Sequence, residues 1–207
     1  MTLLTLLDYA SVVIFALTGA LVASRAQLDL IGFAFLACLT GMGGGTLRDV
    51  LLDRNPVFWI ADPTYLAVAC TSAVVVFFTA HRLESRYSAI LWLDAVALGV
   101  AVAAGAGIAS GLGLPPVIVV VMGIATGCAG GLARDVVANE VPLVLKQGEL
   151  YVTCALAGSV ALIVAQGLGL GPSVAAIACA VTTVGLRAGS IALGWRLPVY
   201  KPRPPRQ

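Results

Sequence analysis

The sequence predicts an all-α membrane protein with seven transmembrane helices, arranged as two inverted three-helix repeats followed by a seventh helix. Three observations predict this fold. The composition is strongly apolar, the apolar residues fall into seven runs, and the first part of the chain resembles the second at a constant offset. The first observation excludes a soluble domain, the second gives the number of crossings, and the third gives their arrangement.

The composition is that of an integral membrane protein. Of the 207 residues, 60% are hydrophobic and 11% are charged, and the mean hydropathy is +1.02. A soluble domain carries about 25% charged residues. Membrane lipid is therefore an expected partner, and the net charge of +2 is too small to favour nucleic acid.

Seven apolar runs are long enough to cross a membrane, because about 20 helical residues span about 30 Å of hydrocarbon. The first run lacks a positively charged segment before it, so we expect a mature span and not a signal peptide. The connections are too short to hold a catalytic domain, and no enzyme activity is expected. The seven runs lie at residues 4–24, 31–52, 64–81, 89–109, 117–138, 148–167 and 173–195.

The chain contains an internal repeat, since it aligns with itself without a gap after a shift of 86 positions. Apolar matches are frequent in such a chain, but matches of polar residues, glycine and proline at one offset are not. The matched pairs include Asp8 with Asp94, Gly19 with Gly105, Ser24 with Ser110, Thr40 with Thr126, Pro56 with Pro142 and Tyr65 with Tyr151.

Each copy of the repeat has three spans, an odd number, so the second copy enters the membrane in the opposite sense. In such inverted repeats the functional path lies at the repeat interface, near the bilayer midplane. The predicted units are a first repeat at 1–86, a second repeat at 87–172, a seventh helix at 173–196 and a cytoplasmic tail at 197–207.

The basic residues outside the spans predict the orientation, because Lys and Arg near span ends stay cytoplasmic. Seven crossings place the termini on opposite sides. With a cytoplasmic C-terminus, the outer side carries Arg54 and the inner side carries eight basic residues: Arg25, Arg82, Arg86, Lys146, Arg196, Lys201, Arg203 and Arg206. We therefore expect the N-terminus outside and the C-terminus inside.

Two glycine-rich stretches, GMGGGTLRDV at 41–50 and GCAGGLARDV at 127–136, lie in spans two and five. At 1.5 Å per residue the glycines fall about 15 to 21 Å from the entry end, near mid-membrane. Glycine clusters bend helices and expose carbonyl oxygens, which bind cations in a water-filled cavity. The candidate path residues are Gly41, Gly43, Gly44, Gly45, Gly127, Gly130 and Gly131, with Thr46 and Ser110 as pore hydroxyls.

Close helix packing is the alternative role for these glycines, because small residues let helix backbones approach each other. The two roles predict different effects of substitution. If the glycines shape a path, leucine at Gly44 or Gly130 reduces flux and leaves assembly intact.

An Arg-Asp dipeptide follows each glycine cluster, inside the predicted span. Neighbouring residues on a helix diverge by about 100° and do not face each other well, so each arginine needs another partner. The inverted repeat places Arg48 near the outer end and Arg134 near the inner end. The predicted pairs are Arg48 with Asp8 and Arg134 with Asp94, and the next candidates are Asp49 and Asp135.

These pairs predict one charged constriction at each end of the path. The alternative is that they only neutralise buried charge and hold helices together. Arg187 also lies within a predicted span, and the pattern assigns it no role.

No cofactor is expected, and no metal beyond permeant ions. The five cysteines fall inside spans without CxxC spacing and are interpreted as buried small apolar groups. A dinucleotide fingerprint requires GxGxxG between a strand and a helix, whereas GMGGGTL lies in an apolar helix.

The doubled glycine-rich Arg-Asp helix, the two three-span repeats and the seventh helix resemble the prokaryotic trimeric intracellular cation (TRIC) channels. The match covers nearly the whole chain except the tail KPRPPRQ. The resemblance implies a homotrimer of the bacterial inner membrane in which each subunit has a hydrophilic pore, kinked at the glycines, that passes K⁺ and Na⁺. Bacterial sequences of this kind are also described as glycine transporters and as UPF0126 proteins. The lysine with which animal members bind phosphoinositide is absent from GMGGGTLRDV.

The predicted function is a channel for monovalent cations, and the alternative is a secondary transporter of glycine or another small amino acid. A transporter usually needs an ionisable relay near the midplane, whereas the intramembrane charges lie toward span ends apart from Arg187. Positive charge in a pore repels cations unless an acid neutralises it, so cation selectivity is implied by the resemblance alone. A purely structural assembly factor is a third class, and the doubled buried charges count against it.

Overall fold

A computed structural model describes residues 2–82, 85–146 and 150–198, and within them the chain forms eight α-helices. Two 3₁₀ turns follow α4 and α6, at Ala80–Arg82 and Leu143–Leu145. The helices are α1 (Leu3–Arg25), α2 (Leu30–Leu51), α3 (Phe58–Ala61), α4 (Thr64–Thr79), α5 (Arg86–Gly111), α6 (Pro116–Val137), α7 (Tyr151–Gly167) and α8 (Pro172–Leu193).

Seven of these helices correspond to the seven predicted spans, which confirms the all-α class. Five of them are at least 18 residues long and apolar enough to cross a membrane, and α4 meets the same conditions with 19 residues when its 3₁₀ turn to Arg82 is included. The other is α7, whose 17 residues reach the lower limit of about 17 for a span. The short helix α3 was not predicted, because four residues carry no periodic signal. Residues 199–207 of the predicted tail lie outside the described residues.

The helix boundaries follow from local chemistry. Side-chain oxygens of Thr2, Asp29 and Ser85 accept hydrogen bonds from backbone N–H groups in the first turns of α1, α2 and α5, which satisfies donors that have no partner within the helix. Pro116 and Pro172 begin α6 and α8, at a position where the missing N–H carries no penalty.

Reciprocal contacts between α2 and α6 relate the two repeats by a two-fold axis. A Cβ atom added at Gly44 would lie 2.1 Å from the carbonyl oxygen of Thr126, and one added at Gly130 would lie 2.2 Å from that of Thr40. Under the 86-residue shift Gly44 corresponds to Gly130 and Thr40 to Thr126, so each contact joins a glycine of one repeat to the equivalent threonine of the other. Such reciprocal contacts are the property of a two-fold relation.

Apolar side chains form one core cluster in each repeat. The first joins α1, α2 and α4, and the second joins α5, α6 and α7 and includes residues of α8. The seventh span packs on α5 and α7 and thus on the second repeat. A small third cluster of Phe15, Ala97 and Ala101 joins the two repeats through α1 and α5.

Candidate functional site: two buried charge clusters at the repeat interface

The first-repeat cluster consists of Asp8, Arg48, Asp49 and Arg54. Arg48 Nη1 donates to Asp8 Oδ1 at 2.6 Å, which brings together α1 and the end of α2. Arg48 Nε donates to Asp49 Oδ1 at 2.8 Å, and Arg54 Nη1 donates to the same oxygen at 2.8 Å. The side chain of Arg48 has no exposed surface. The cluster therefore holds a fully buried cation between two carboxylates.

The second-repeat cluster consists of Thr18, Asp94, Arg134, Asp135 and Tyr151. Arg134 Nη1 donates to Asp94 Oδ1 at 3.0 Å and to Thr18 Oγ1 at 2.9 Å, and its Nε donates to Asp135 Oδ1 at 2.7 Å. Tyr151 donates to the other oxygen of Asp94 at 2.7 Å. Thr18 belongs to the first repeat, so this cluster bridges the two repeats.

The structure thus brings together both pairs that the offset suggested, Arg48 with Asp8 and Arg134 with Asp94. The expectation that an arginine and the adjacent aspartate do not face each other well is wrong for both dipeptides, because Asp49 and Asp135 also bind the arginines. Arg48 Nε lies at 2.8 Å from Asp49, and Arg134 Nε at 2.7 Å from Asp135. The long arginine side chain bends so that its Nε meets the neighbouring residue while its Nη1 reaches the other helix.

The second oxygen of each adjacent aspartate holds the connection that follows the helix. Asp49 Oδ2 accepts the backbone N–H of Phe58 at 2.9 Å, and Asp135 Oδ2 accepts that of Leu143 at 2.9 Å. Each Arg-Asp dipeptide therefore joins three segments: the first helix of its repeat, the end of the second helix and the start of the next short helix.

The first-repeat connection has a further anchor at Asp62, which lies between α3 and α4 and outside the spans. Tyr9 donates a hydrogen bond to Asp62, and the backbone N–H of Thr64 donates to the same carboxylate at 3.0 Å. The hydrogen bond from the Tyr9 hydroxyl has the largest effect, and with the bonds from Thr64 it stabilises the ionised carboxylate and lowers the pKa of Asp62.

The two clusters differ in their surroundings. The first includes Arg54, whose side chain is 39% exposed. Beside the second, the guanidinium of Arg187 lies over the ring of Tyr151, with 5.1 Å between its Cζ and the ring centroid. The seventh span therefore contributes a buried cation next to the second cluster, through the same tyrosine that binds Asp94.

Each paired arginine keeps one donor that the described protein groups do not use. Arg48 Nη2 and Arg134 Nη2 are buried and meet no acceptor among the described residues. A buried N–H without a partner costs about 1–3 kcal/mol. These two donors are the groups at which a water molecule or an anionic oxygen would be stabilised.

Five of the seven candidate glycines lie in tight packing contacts. A Cβ atom at these positions would come within 3.0 Å of another atom, whereas the nearest atom is at 3.5 Å for Gly43 and Gly131. The closest distances are 2.9 Å at Gly41, 2.1 Å at Gly44, 2.6 Å at Gly45, 2.6 Å at Gly127 and 2.2 Å at Gly130.

The packing contacts overturn the expectation that leucine at Gly44 or Gly130 would leave assembly intact. The neighbour at both positions is a backbone carbonyl of the other repeat, which no side-chain rotation moves aside. Both α2 and α6 are helical through their glycines, and the proposed kink stays a prediction.

A small cavity lies between the repeats beside the first-repeat cluster. Its lining includes Asp8 and Phe15 from α1, Gly44 from α2, Ala101 from α5 and Thr126 from α6. Its volume is about 10 Å³. A cavity needs about 10–15 Å³ to hold one water molecule, so this cavity is too small for larger solutes in this conformation.

The two predicted pore hydroxyls lie elsewhere. Thr46 Oγ1 accepts from Trp59 Nε1 at 3.0 Å and lines an open apolar groove on the outer face of α2. Ser110 donates to Gln166 at 2.8 Å in a separate cavity at the ends of α5 and α7. Neither residue lines the cavity between the repeats.

Sequence reasoning missed six participants: Thr18, Arg54, Phe58, Leu143, Tyr151 and Arg187. Tyr151 matches Tyr65 under the 86-residue shift, and that match was a usable signal. Thr18 corresponds to an alanine and Arg187 has no counterpart in the repeats, so no pattern pointed to either of them.

Known proteins resemble this chain over most of its length. A family model described as "Glycine transporter" matches twice, at residues 5–81 and 91–167, and the two matches are separated by the same 86 residues as the repeat. The UPF0126 membrane protein of Vibrio cholerae is 35% identical over 200 residues, which are 96% of this chain and 83% of that protein. The UPF0126 inner membrane protein YadS of Escherichia coli is 37% identical over 157 residues, or 74% of each chain.

Solved structures agree with these sequence matches. The TRIC trimeric intracellular cation channel orthologue from Rhodobacter sphaeroides is 42% identical, with a TM-score of 0.90 over 94% of this chain and 100% of the other. A second TRIC cation channel is 30% identical, with a TM-score of 0.86 over 98% of this chain and 100% of the other. The chain therefore belongs to the family of UPF0126 membrane proteins and prokaryotic TRIC channels.

Proposed function

We propose that the protein is a channel for the monovalent cations K⁺ and Na⁺, in which each subunit of a homotrimer carries its own path between the two repeats. The observation that carries the proposal is the closed cavity between the repeats, which lies against one of the two buried Arg-Asp clusters. The relatives that are described as TRIC cation channels, at 42% and 30% identity, support it.

In each cluster carboxylates neutralise the arginines, which would otherwise repel a permeating cation. In the first-repeat cluster the two arginines face two carboxylates, Asp8 and Asp49. In the second-repeat cluster Arg134 lies between two carboxylates, with Arg187 beyond Tyr151. Neutralised arginines of this kind present no net barrier to a cation. The clusters then act as constrictions whose arginines are held away from the ion by their own aspartates.

Passage of an ion through this cavity requires α2 and α6 to move, because the cavity has a volume of about 10 Å³ in the described conformation. The tight crossing of Gly44 with Thr126 and of Gly130 with Thr40 lies beside this cavity. A bend of either helix at its glycines would separate these carbonyls and widen the path. The kink predicted at the glycines thus belongs to the open conformation of the proposed channel.

Glycine transport is the second candidate, and one observation favours it besides the family model. Arg48 offers an unused buried Nη2 donor, and Asp8 lies beside it with a side chain that is 13% exposed. A guanidinium and a carboxylate are the groups that recognise the carboxylate and the ammonium of a zwitterionic amino acid. The closed cavity is much smaller than glycine, so binding there also requires opening.

One experiment separates the two functions. The purified protein is reconstituted in liposomes and assayed side by side for K⁺ flux down a gradient and for uptake of radiolabelled glycine, with protein-free liposomes as the control. A channel gives K⁺ flux without saturable glycine uptake. Saturable glycine uptake without K⁺ flux would replace the channel proposal with the transporter.

The assembly and the orientation need separate measurements. The mass of the detergent-solubilised complex, corrected for bound detergent, is expected to equal three copies of the 21.1 kDa chain. For a bacterial inner membrane protein with a periplasmic N-terminus, a reporter fused after Gln207 is expected to fluoresce in the cytoplasm. Alkaline phosphatase activity at that position would reverse the orientation.

A further inference from the structure

Two further cavities of similar size lie at corresponding places in the two repeats. One has a volume of about 330 Å³ and is lined by Ser24, Ala80 and Arg86 among others. The other has a volume of about 290 Å³, and its lining includes Ser110, Gln166 and Pro172. The 86-residue shift maps the first three residues onto the second three. The pair is therefore a product of the repeat, with one cavity at each face of the protein.

The two cavities differ in charge. The one in the first repeat, named here the Arg86 cavity, is also lined by His81 and Gln27. The described residues that line its counterpart carry no charge, and the polar ones are Thr2, Ser110, Gln166 and Ser173. Pro172 takes the place of Arg86 under the 86-residue shift, so the cavity of the first repeat contains a cation that its counterpart lacks among the described residues.

The Arg86 guanidinium is held in place but not neutralised by the described residues. Its Nε donates to the carbonyl of Ala80 at 3.3 Å and its Nη1 to the carbonyl of Ser24 at 3.4 Å. Both bonds are long compared with the usual 2.9–3.0 Å. In the described part of the chain, Arg86 forms no ion pair with a carboxylate. Among the described residues this cation therefore has carbonyl oxygens as partners and no carboxylate.

The other wall of the Arg86 cavity is apolar and opens to the side of the protein. It consists of Leu28, Phe33 and Phe77. Phe77 is 38% exposed and belongs to the membrane helix α4, so the opening faces the region that acyl chains occupy. A free phosphate ion gains nothing from such a wall, whereas a lipid buries apolar surface against it.

We propose that the Arg86 cavity binds the phosphodiester headgroup of an anionic phospholipid, with part of the acyl chain against Leu28 and Phe77. Basic pockets between transmembrane helices on the cytoplasmic side recognise such headgroups, and the cytoplasmic leaflet carries the anionic lipids. The predicted orientation places Arg86 on that side. The proposal does not depend on what the protein transports, because lipid binding is measured without any flux.

The test is native mass spectrometry and thermal unfolding of the detergent-solubilised protein with added phosphatidylglycerol or phosphatidylcholine. We expect phosphatidylglycerol to bind more tightly and to raise the unfolding temperature more. Arg86→Gln is expected to weaken phosphatidylglycerol binding by about fivefold or more, since a basic residue at the surface contributes about that factor. Arg82→Gln is the matched control, because Arg82 is an exposed neighbour that does not line the cavity. Equal losses in the two variants would overturn the proposal.

A second variant and a second ligand complete the experiment. Arg86→Gln also removes the hydrogen bonds to the carbonyls of Ala80 and Ser24, so the variant could be less stable for that reason alone. Gln27→Glu is a second variant that keeps these bonds and places a negative charge at the exposed edge of the cavity. Gln27→Glu is expected to weaken phosphatidylglycerol binding and to leave phosphatidylcholine binding unchanged. Inorganic phosphate alone distinguishes the lipid from the free ion. If phosphate raises the unfolding temperature as much as phosphatidylglycerol does, the lipid proposal is wrong.

Discussion

Gly43 and Gly44 are adjacent in α2 but meet different neighbours. A Cβ atom at Gly44 would lie 2.1 Å from the carbonyl oxygen of Thr126, whereas at Gly43 the nearest atom is 3.5 Å away. Overpacking of this kind costs about 1–3 kcal/mol, occasionally more. We expect Gly44→Ala to lower the unfolding temperature and to disturb the contact between the repeats. Gly43→Ala is expected to be neutral or slightly stabilising, because alanine favours a helix by about 1 kcal/mol over glycine. Thermal unfolding in detergent compares the two, and equal temperatures would show that the crossing is looser than described.

Asp94 and Asp8 occupy matching positions in the two repeats but differ in the number of their partners. Asp94 accepts from Arg134 with one oxygen and from Tyr151 with the other, and its side chain is 1% exposed. Asp8 receives the Arg48 bond with a side chain that is 13% exposed. Removing one partner from a buried ion pair costs about 3–5 kcal/mol. We therefore expect Asp94→Asn to reduce the free energy of unfolding by about that amount and Asp8→Asn to reduce it less. Unfolding titrations test the order, and a larger loss for Asp8→Asn would contradict it.

At the scale of elements, the connection between α2 and α4 depends on Asp49. This carboxylate accepts the backbone N–H of Phe58, the first residue of α3, and also binds Arg48 and Arg54. Asp49→Asn leaves one acceptor oxygen, and when that oxygen accepts from Arg48 and Arg54, the amide nitrogen faces the N–H of Phe58 and cannot accept from it. A net loss of about 1.4 kcal/mol corresponds to a tenfold larger population of the locally open state. We expect amide hydrogen exchange around Phe58 to rise by about tenfold.

Asp53→Asn is the matched control for that prediction. Asp53 has a φ of 50°, which asparagine also tolerates, and its side chain accepts an exposed hydrogen bond from Asn55 Nδ2 at 3.0 Å. Hydrogen exchange mass spectrometry of peptides from this connection measures both variants. The same increase in both would mean that Asp49 has no special role in holding α3.

The helices and their order were predictable because crossing a membrane demands long apolar runs, and those runs are visible in one dimension. Arg48 and Asp8 were also predictable as partners, since the 86-residue match and the inverted topology place them at one depth. The rotation of each helix about its axis was not predictable. The rotation of α2 determines that Thr46 faces the groove at Trp59. This rotation depends on packing between helices, which the sequence of one span does not reveal.

At the scale of the whole molecule, the two-fold relation gives the protein two ends that are similar in structure but differ in their polar and charged residues. The repeat supplies an Arg-Asp cluster and a side cavity at each end. Residues outside the repeat pattern then distinguish them: Thr18 and Arg187 add to the second cluster, and Arg86 adds charge to the cavity of the first repeat. The two ends of the protein therefore differ in charge, although the repeat gives them corresponding clusters and cavities.

Phe15 is a second position, besides Arg86, at which the two repeats differ in side-chain size. It lies in the cavity between the repeats, and the 86-residue shift maps it onto Ala101, which lines the same cavity. Phe15 is 2% exposed, so its ring fills space between the repeats that its alanine counterpart does not. If the path passes here, Phe15→Ala widens it, and we expect K⁺ flux into liposomes to exceed that of the unmodified protein by several-fold.

Leu21→Ala is the control for this change, because Leu21 is also buried in α1 but belongs to the core cluster of the first repeat. Both substitutions remove a large side chain from a core and destabilise by similar amounts, about 2–5 kcal/mol for leucine and about 3–5 kcal/mol for phenylalanine. A general loosening of the protein would raise the K⁺ flux of both variants, whereas a path at the repeat interface raises it in Phe15→Ala alone. If Phe15→Ala assembles correctly and conducts no faster than the unmodified protein, the ions do not pass between Phe15 and Ala101, and the path must be sought elsewhere in the subunit.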